Sequence, residues 1–100
     1  MKYNKLVRDK IPQYIISKGG KPISHVADDA EYWQKLKEKL SEEVAEFYKD
    51  ENMEELADLM EVIDAIMDFK QFDHEEIKKI KEKKAEERGR FKEKIILEES

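Results

Sequence analysis

Apolar residues recur at helical spacing along two long central segments of the chain. In the first segment they lie within roughly 40° of Leu40 around a helix axis. The other members of that stripe are Trp33, Leu36, Val44 and Phe47. The main stripe of the second segment comprises Leu56, Met60, Ile63 and Met67. Because the intervening KDEN sequence is typical of a turn, the pattern predicts an antiparallel helical hairpin with both stripes in its core.

Capping residues and helix breakers predict where the two hairpin helices begin and end. Asp28 or Asp29 caps the first, which runs to about Tyr48. The second runs from about Met53 to Phe69. The hairpin therefore occupies the centre of the chain.

A shorter helix is predicted on each side of the hairpin. Before it, Asp9 is the predicted N-cap, Pro12 falls in the first turn, and the sequence SKGG ends the helix. After it, Asp73 and Glu76 form a capping-box-like start to a helix that ends at Gly89. The pattern thus predicts three or four helices in all.

Two segments outside the helices are predicted to be extended. KPISHVA contains the β-branched residues Ile23 and Val26. The large apolar residues of the C-terminal sequence RFKEKIILEE are Phe91, Ile95, Ile96 and Leu97. This tail either pairs with KPISHV as a short strand or packs on a partner. The expected fold is all-α: one domain over residues 1–100, a bundle of three to four helices, and short extended segments near both termini.

Composition changes this picture in one respect, the size of the core. Only 39% of the 100 residues are hydrophobic, whereas 45% are charged. One chain can then bury only a thin core, so we expect the chain to self-associate. The chain has no cysteine, no signal-like N-terminal run and no segment long enough to span a bilayer, which favours a cytoplasmic protein without a membrane. The net charge of −5 argues against a nucleic-acid polymer as partner.

Some carboxylates border the core instead of lying on the solvated side of their helices. Glu43 lies about 60° from Leu40, and Glu46 and then Glu42 lie progressively further along the same flank. Glu55 and Asp58 lie at roughly 100° and 160° from Leu56, in the sector of the helix that also carries Val62 and Phe69. A solvated face is predicted for the remaining acidic residues of this helix, Glu54, Glu61, Asp64 and Asp68.

Folding the hairpin brings the two bordering sets together. It places Glu43 and Glu46 roughly level with Asp58 and Glu55. Like charges at close range raise each other's pKa and oppose folding, and a divalent cation relieves both effects. All-oxygen ligands suit Mg²⁺ or Mn²⁺. The four residues are therefore the predicted metal ligands.

The acidic motifs resemble those of a known enzyme family. EEVAE and ELAD match the EExxE and ExxD signature of the all-α NTP pyrophosphatases, which include MazG-like proteins, phosphoribosyl-ATP pyrophosphohydrolases and dimeric dUTPases. The opening YNKLVRDKIP and the late ERGRF are further similar to a small MazG-like subgroup of single-domain proteins. The gap between the two acidic motifs is shorter here than in most of the family. Glu61 and Asp64 form an alternative ExxD at a longer gap, so Glu61 remains a further candidate.

The resemblance implies a Mg²⁺-dependent nucleoside triphosphate pyrophosphohydrolase, active in the removal of non-standard nucleotides. It also implies a homodimer or a homotetramer. Glu43, Glu46, Glu55 and Asp58 then hold the metal, and Glu42 is the candidate catalytic base. Candidate substrate-binding cations lie in the N-terminal arm (Lys5, Arg8) and near Gly89 (Lys84, Arg88). Tyr32, on the Glu43 side of its helix, is the candidate for stacking on a base. A non-enzymatic helical adaptor that retains this fold is the alternative.

Overall fold

A computed structural model of the chain describes residues 4–100, and within them it contains four helices and no strand. The helices are α1 (Ile11–Ser17), α2 (Asp29–Lys49), α3 (Met53–Lys70) and α4 (His74–Arg88). The predicted all-α class and the positions of the four helices are therefore confirmed. Residues 1–3, which include Tyr3 of the sequence YNKLVRDKIP, lie outside the described residues.

Side-chain caps fix the starts of the three longer helices. Asp28 accepts a hydrogen bond from the Glu31 amide, and Asn52 accepts one from the Glu55 amide, each at 2.9 Å. Asp73 accepts from the amides of the second and third residues of α4. Each cap satisfies backbone donors that a helix start leaves unpaired, which is why these polar residues set the boundaries.

The start of α1 differs from the prediction. The N-cap is Lys10 and makes no side-chain cap bond, so the assignment of this role to Asp9 is wrong. The Ile11 amide instead donates to the Arg8 carbonyl at 3.1 Å. Pro12 falls in the first turn, as expected, where its missing N–H leaves no bond unmade. The chain thus turns into α1 through backbone bonding alone.

The core lies between α2 and α3, which pack antiparallel on each other. Among residues 4–100 the buried hydrophobic side chains are Leu36, 1% exposed, and Val62, 7% exposed. At one end of the hairpin the Trp33 ring stacks on Phe69, with centroids 5.5 Å apart and planes 6° from parallel. Tyr32 meets the same Phe69 ring edge-on at 5.4 Å. These rings fix the rotation of α3 against α2.

The face of α3 that enters the core is not the one with the strongest apolar stripe. Leu56, Met60 and Ile63, expected to fill the core, are exposed, with Met60 58% exposed. The core side of α3 instead carries Val62 and Phe69, roughly 120–140° away from Leu56 around the helix. This rotation brings Phe69 into its stack with Trp33. The prediction of the α3 core face is therefore wrong for three of its four residues, and the fourth, Met67, is half-buried.

The two segments predicted to be extended form no strand within residues 4–100, so their mutual pairing is not found. Ile23, Val26 and the apolar tail residues are exposed, and α4 has no buried residue. The radius of gyration is 18.0 Å, against about 13 Å for a compact domain of this length. Within the described chain, no helix has the length and apolar content needed to cross a membrane.

Candidate functional site

Three carboxylates from α2 and α3 meet where the two helices pack. One oxygen each of Glu43, Glu55 and Asp58 lies within 4.8 Å of the other two. Glu43 is 8% exposed, and the other two are partly exposed. The fold thus brings together three of the four carboxylates that the sequence assigned to a metal. Their all-oxygen donor set fits Mg²⁺ or Mn²⁺.

The fourth predicted ligand, Glu46, belongs to a second acidic group one turn further along α2. Oxygens of Glu46, Asp50 and Glu55 lie within 4.8 Å of one another. Glu55 is common to both groups, so they form one continuous acidic surface near the hairpin turn. The sequence interpretation missed Asp50 because it assigned that residue to the turn. The sequence did contain a signal for Asp50, because it follows Glu46 of α2 by four residues and so lies on the same side of the helix.

A lysine inside the site accompanies the acidic residues of α2. The Lys39 ammonium lies 3.1 Å from Oε1 of Glu43 and 3.4 Å from Oε1 of Glu42. Lys5 of the N-terminal arm also reaches Oε1 of Glu42, at 3.3 Å. The sequence interpretation missed Lys39, although its i,i+3 and i,i+4 spacing to the two glutamates predicts both contacts. Positive charge therefore already borders the buried end of the site.

These lysines control the ionisation of Glu42. Partial burial acts to raise the pKa of the Glu42 carboxyl, but the hydrogen bond from Lys5 and the charge of Lys39 outweigh it and lower that pKa. Glu42 is thus held as a carboxylate. It points its Oε1 at two ammonium groups, and it belongs to neither of the acidic groups among the described residues.

The N-terminal arm, residues 4–10, closes over the same end of the hairpin. Arg8 donates to Oδ1 of Asp58 at 2.7 Å, joining residues 50 positions apart in the chain. Together with the bond from Lys5 to Glu42, this contact ties the arm to both acidic motifs. Two of the four predicted substrate-binding cations therefore lie at the acidic site.

A cavity of about 680 Å³ opens between the arm, α1 and the α2–α3 hairpin. Its charged and aromatic lining includes Lys5, Arg8, Tyr32, Lys39, Glu43, Asp58 and Glu61. Glu61, predicted on the solvated face and kept as a further candidate for the site, is exposed and also lines the cavity. Lys84 and Arg88 lie on α4, outside the lining of this cavity. A cavity of this volume accommodates a nucleotide-sized ligand.

The ionisation of Glu55 is disfavoured by its surroundings. Desolvation and then the neighbouring charges of Glu46, Asp58, Glu43 and Asp50 raise the pKa of its carboxyl above the ordinary value of 4.5. A raised pKa in the folded state means that the folded protein binds the proton more tightly than the unfolded chain does. The contribution of Glu55 to the free energy of unfolding is fully present below pH 4.5 and is lost as the pH rises through the raised pKa.

Removal of this charge is expected to stabilise the metal-free protein. In the presence of EDTA at pH 7, Glu55→Gln should melt at a higher temperature than Glu54→Gln, and the difference should shrink as the pH is lowered below 4.5. Both residues lie in the first turn of α3, so both variants lose the same interaction with the helix dipole. Of these two residues, Glu55 belongs to the acidic groups and Glu54 does not. A Glu55→Gln variant that melts below Glu54→Gln at pH 7 would contradict the repulsion.

Comparison with known proteins assigns no activity to the chain. No model of a protein family matches it, and no solved structure matches it. One stretch of 41 residues is 51% identical to an uncharacterized protein of Mycolicibacterium smegmatis. The match covers 41% of this chain and 42% of that protein. A functional conclusion must therefore come from the residues of the site.

Proposed function

We propose that the chain is a Mg²⁺-dependent nucleoside triphosphate pyrophosphohydrolase, which converts a nucleoside triphosphate and water into the monophosphate and pyrophosphate. One observation carries the proposal: carboxylates from the EExxE-like and ExxD-like motifs converge beside Arg8 at a cavity of nucleotide size. The order of these motifs along the chain resembles that of the all-α NTP pyrophosphatases, and the all-helical hairpin agrees with that resemblance.

The acidic groups supply the metal-holding part of the proposed site. Glu43, Glu55 and Asp58 are the proposed ligands, and Glu46 extends the set through its proximity to Glu55. When bound, Mg²⁺ neutralises phosphate oxygens and orients the triphosphate for attack. Lys39 stays against Glu43 at 3.1 Å and thereby orients one carboxylate oxygen of the buried ligand.

Residues that line the cavity or lie beside it match the other parts of the substrate. Arg8, whose planar guanidinium binds phosphate oxygens in pairs, and Lys5 are the proposed phosphate-binding residues. Arg8 must then exchange or share its present partner, Asp58. Tyr32 borders the cavity and is the proposed contact to the base. Glu42, which lies beside Lys5 and Lys39 and outside the cavity lining, is the proposed acceptor of the proton of the attacking water, since only an ionised carboxylate can accept a proton.

The test of this function is product analysis with the full chain. Purified protein is incubated with standard and non-standard nucleoside triphosphates in Mg²⁺, Mn²⁺ or EDTA. We expect monophosphate and pyrophosphate in equal amounts, and no turnover in EDTA. Release of orthophosphate instead of pyrophosphate, or the absence of turnover across the panel with either metal, would contradict the proposal.

Titration calorimetry separates the enzyme from the alternative, a non-enzymatic adaptor with the same fold. The exposed apolar side chains of α3 and the tail favour an adaptor, since such surfaces commonly bind other proteins. An adaptor is expected to give no tight Mg²⁺-dependent binding heat with a non-hydrolysable triphosphate. The enzyme should bind this analogue, and Arg8→Ala should weaken that binding.

A further inference from the structure

The outer face of α3, defined by Met53, Leu56, Met60 and Ile63, is apolar and uncovered. These side chains are all exposed, and Met60 is 58% exposed. The face points away from the α2–α3 core, whose α3 side is formed by Val62 and Phe69. An uncovered apolar stripe of this kind on a helix marks a surface that packs on another element.

The C-terminal tail, residues 89–100, is a second uncovered apolar element of the same chain. Phe91 is 97% exposed, and Ile95, Ile96 and Leu97 are exposed as well. Within residues 4–100 only α2 and α3 form an extended helix–helix contact, so α4 does not pack along α3. A 15-residue helix is about 22 Å long, and α4 therefore carries the start of the tail away from its own hairpin.

The helix α3 and the first part of the tail have opposite charge, while residues 89–100 taken together carry three basic and three acidic residues. Along α3, six acidic residues accompany one lysine. The segment 88–94 joins four basic residues, Arg88, Arg90, Lys92 and Lys94, to one acidic residue. Arg90, which follows α4, donates to Oε2 of Glu82 on α4 at 3.0 Å, and Lys92 and Lys94 lie in the exposed tail. Packing of α3 on a second α3 would oppose two acidic helices, whereas packing of segment 88–94 on α3 pairs opposite charges.

We propose that the tail of one copy of this chain packs on the outer face of α3 of a second copy, with the basic segment 88–94 against the acidic flanks of α3. A reciprocal exchange of two tails follows a two-fold axis and closes as a dimer. It covers both apolar elements at once and supplies the packing that the thin core of a single chain lacks. This inference does not depend on the proposed activity.

Cross-linking between differently labelled full-length chains tests the arrangement directly. The chain has no cysteine, so each introduced thiol is unique. Met60→Cys protein labelled with ¹⁵N is mixed with unlabelled Ile96→Cys protein and treated with a short bismaleimide. We expect the mixed covalent dimer to exceed both covalent homodimers at least about threefold, and light scattering to give the mass of two chains. Gln13→Cys, on the exposed side of α1, replaces Ile96→Cys in the matched control.

Four other outcomes would each overturn the proposal. Dominant Met60→Cys homodimers would mean that two α3 faces pack on each other. A chain that carries both substitutions and cross-links only internally would mean that the tail covers its own α3. A monomeric mass without any covalent dimer would mean that a second copy does not bind. A low-salt association that fails to weaken in high salt would contradict the charge pairing.

Discussion

The Glu43→Gln variant is expected to lose Mg²⁺-dependent pyrophosphate release by more than about 100-fold. A residue that only orients a metal ligand typically changes metal affinity or activity by 10- to 100-fold, and loss of a proposed ligand should exceed that range. Glu43 is also the most buried carboxylate of the acidic group, so solvent offers little replacement for its oxygen. The measurement is kcat/KM for pyrophosphate release at saturating Mg²⁺. Asp58→Asn should give a loss of the same order.

The fold of the Glu43→Gln variant should survive, which makes the activity loss interpretable. Lys39 keeps a second carboxylate partner, because its ammonium also lies 3.4 Å from Glu42. Glu54→Gln is the matched control, since this exposed α3 residue belongs to neither acidic group and should leave activity within about twofold. Circular dichroism verifies helix content in all three proteins. Full activity in both Glu43→Gln and Asp58→Asn would exclude the proposed metal ligands.

Helix positions were predictable from sequence because the signals that set them are local. Asp28 and Asp73 cap their helices through side-chain bonds to amides two or three residues away. α1 is the informative exception. Its start depends on a backbone bond from Ile11 to the Arg8 carbonyl, and no side-chain signal marks such a bond. The predicted cap at Asp9 was wrong for that reason.

The rotation of α3 could not be predicted because it is decided by contacts between elements. Amphipathicity alone favours the face of Leu56 and Met60, which is the more continuous apolar stripe of the helix. The stacking of Trp33 on Phe69 and the burial of Val62 instead turn that stripe outward. The sequence nevertheless predicted that Glu55 and Asp58 lie near Glu43. Both residues share the sector of α3 that carries Val62 and Phe69, and this sector faces α2. The sequence interpretation missed Lys39 and Asp50 by following motif residues only.

The Leu36→Ala variant is expected to lose about 2–5 kcal/mol of folding free energy, the range for truncating a buried leucine. Leu36 is 1% exposed and is one of two buried hydrophobic residues within residues 4–100, so few other contacts can compensate. A domain of this size loses about 4–8 °C of melting temperature per kcal/mol, and the variant should melt at least about 8 °C below the wild type. Urea and thermal denaturation followed by circular dichroism measure both quantities. Ile80→Ala, at an exposed position of α4, is the control and should stay within about 0.5 kcal/mol.

The concentration dependence of this loss separates the hairpin core from the proposed dimer contact. If the tail exchange stabilises the protein, wild type and Leu36→Ala should both melt at higher temperature as the protein concentration rises, because association stabilises the folded state by mass action. The difference between them at a fixed concentration should persist, since Leu36 lies between α2 and α3 and not at the outer face of α3. A loss below about 1 kcal/mol at every concentration would mean that the α2–α3 core does not determine stability. Folding would then depend on contacts that only the assembled protein provides.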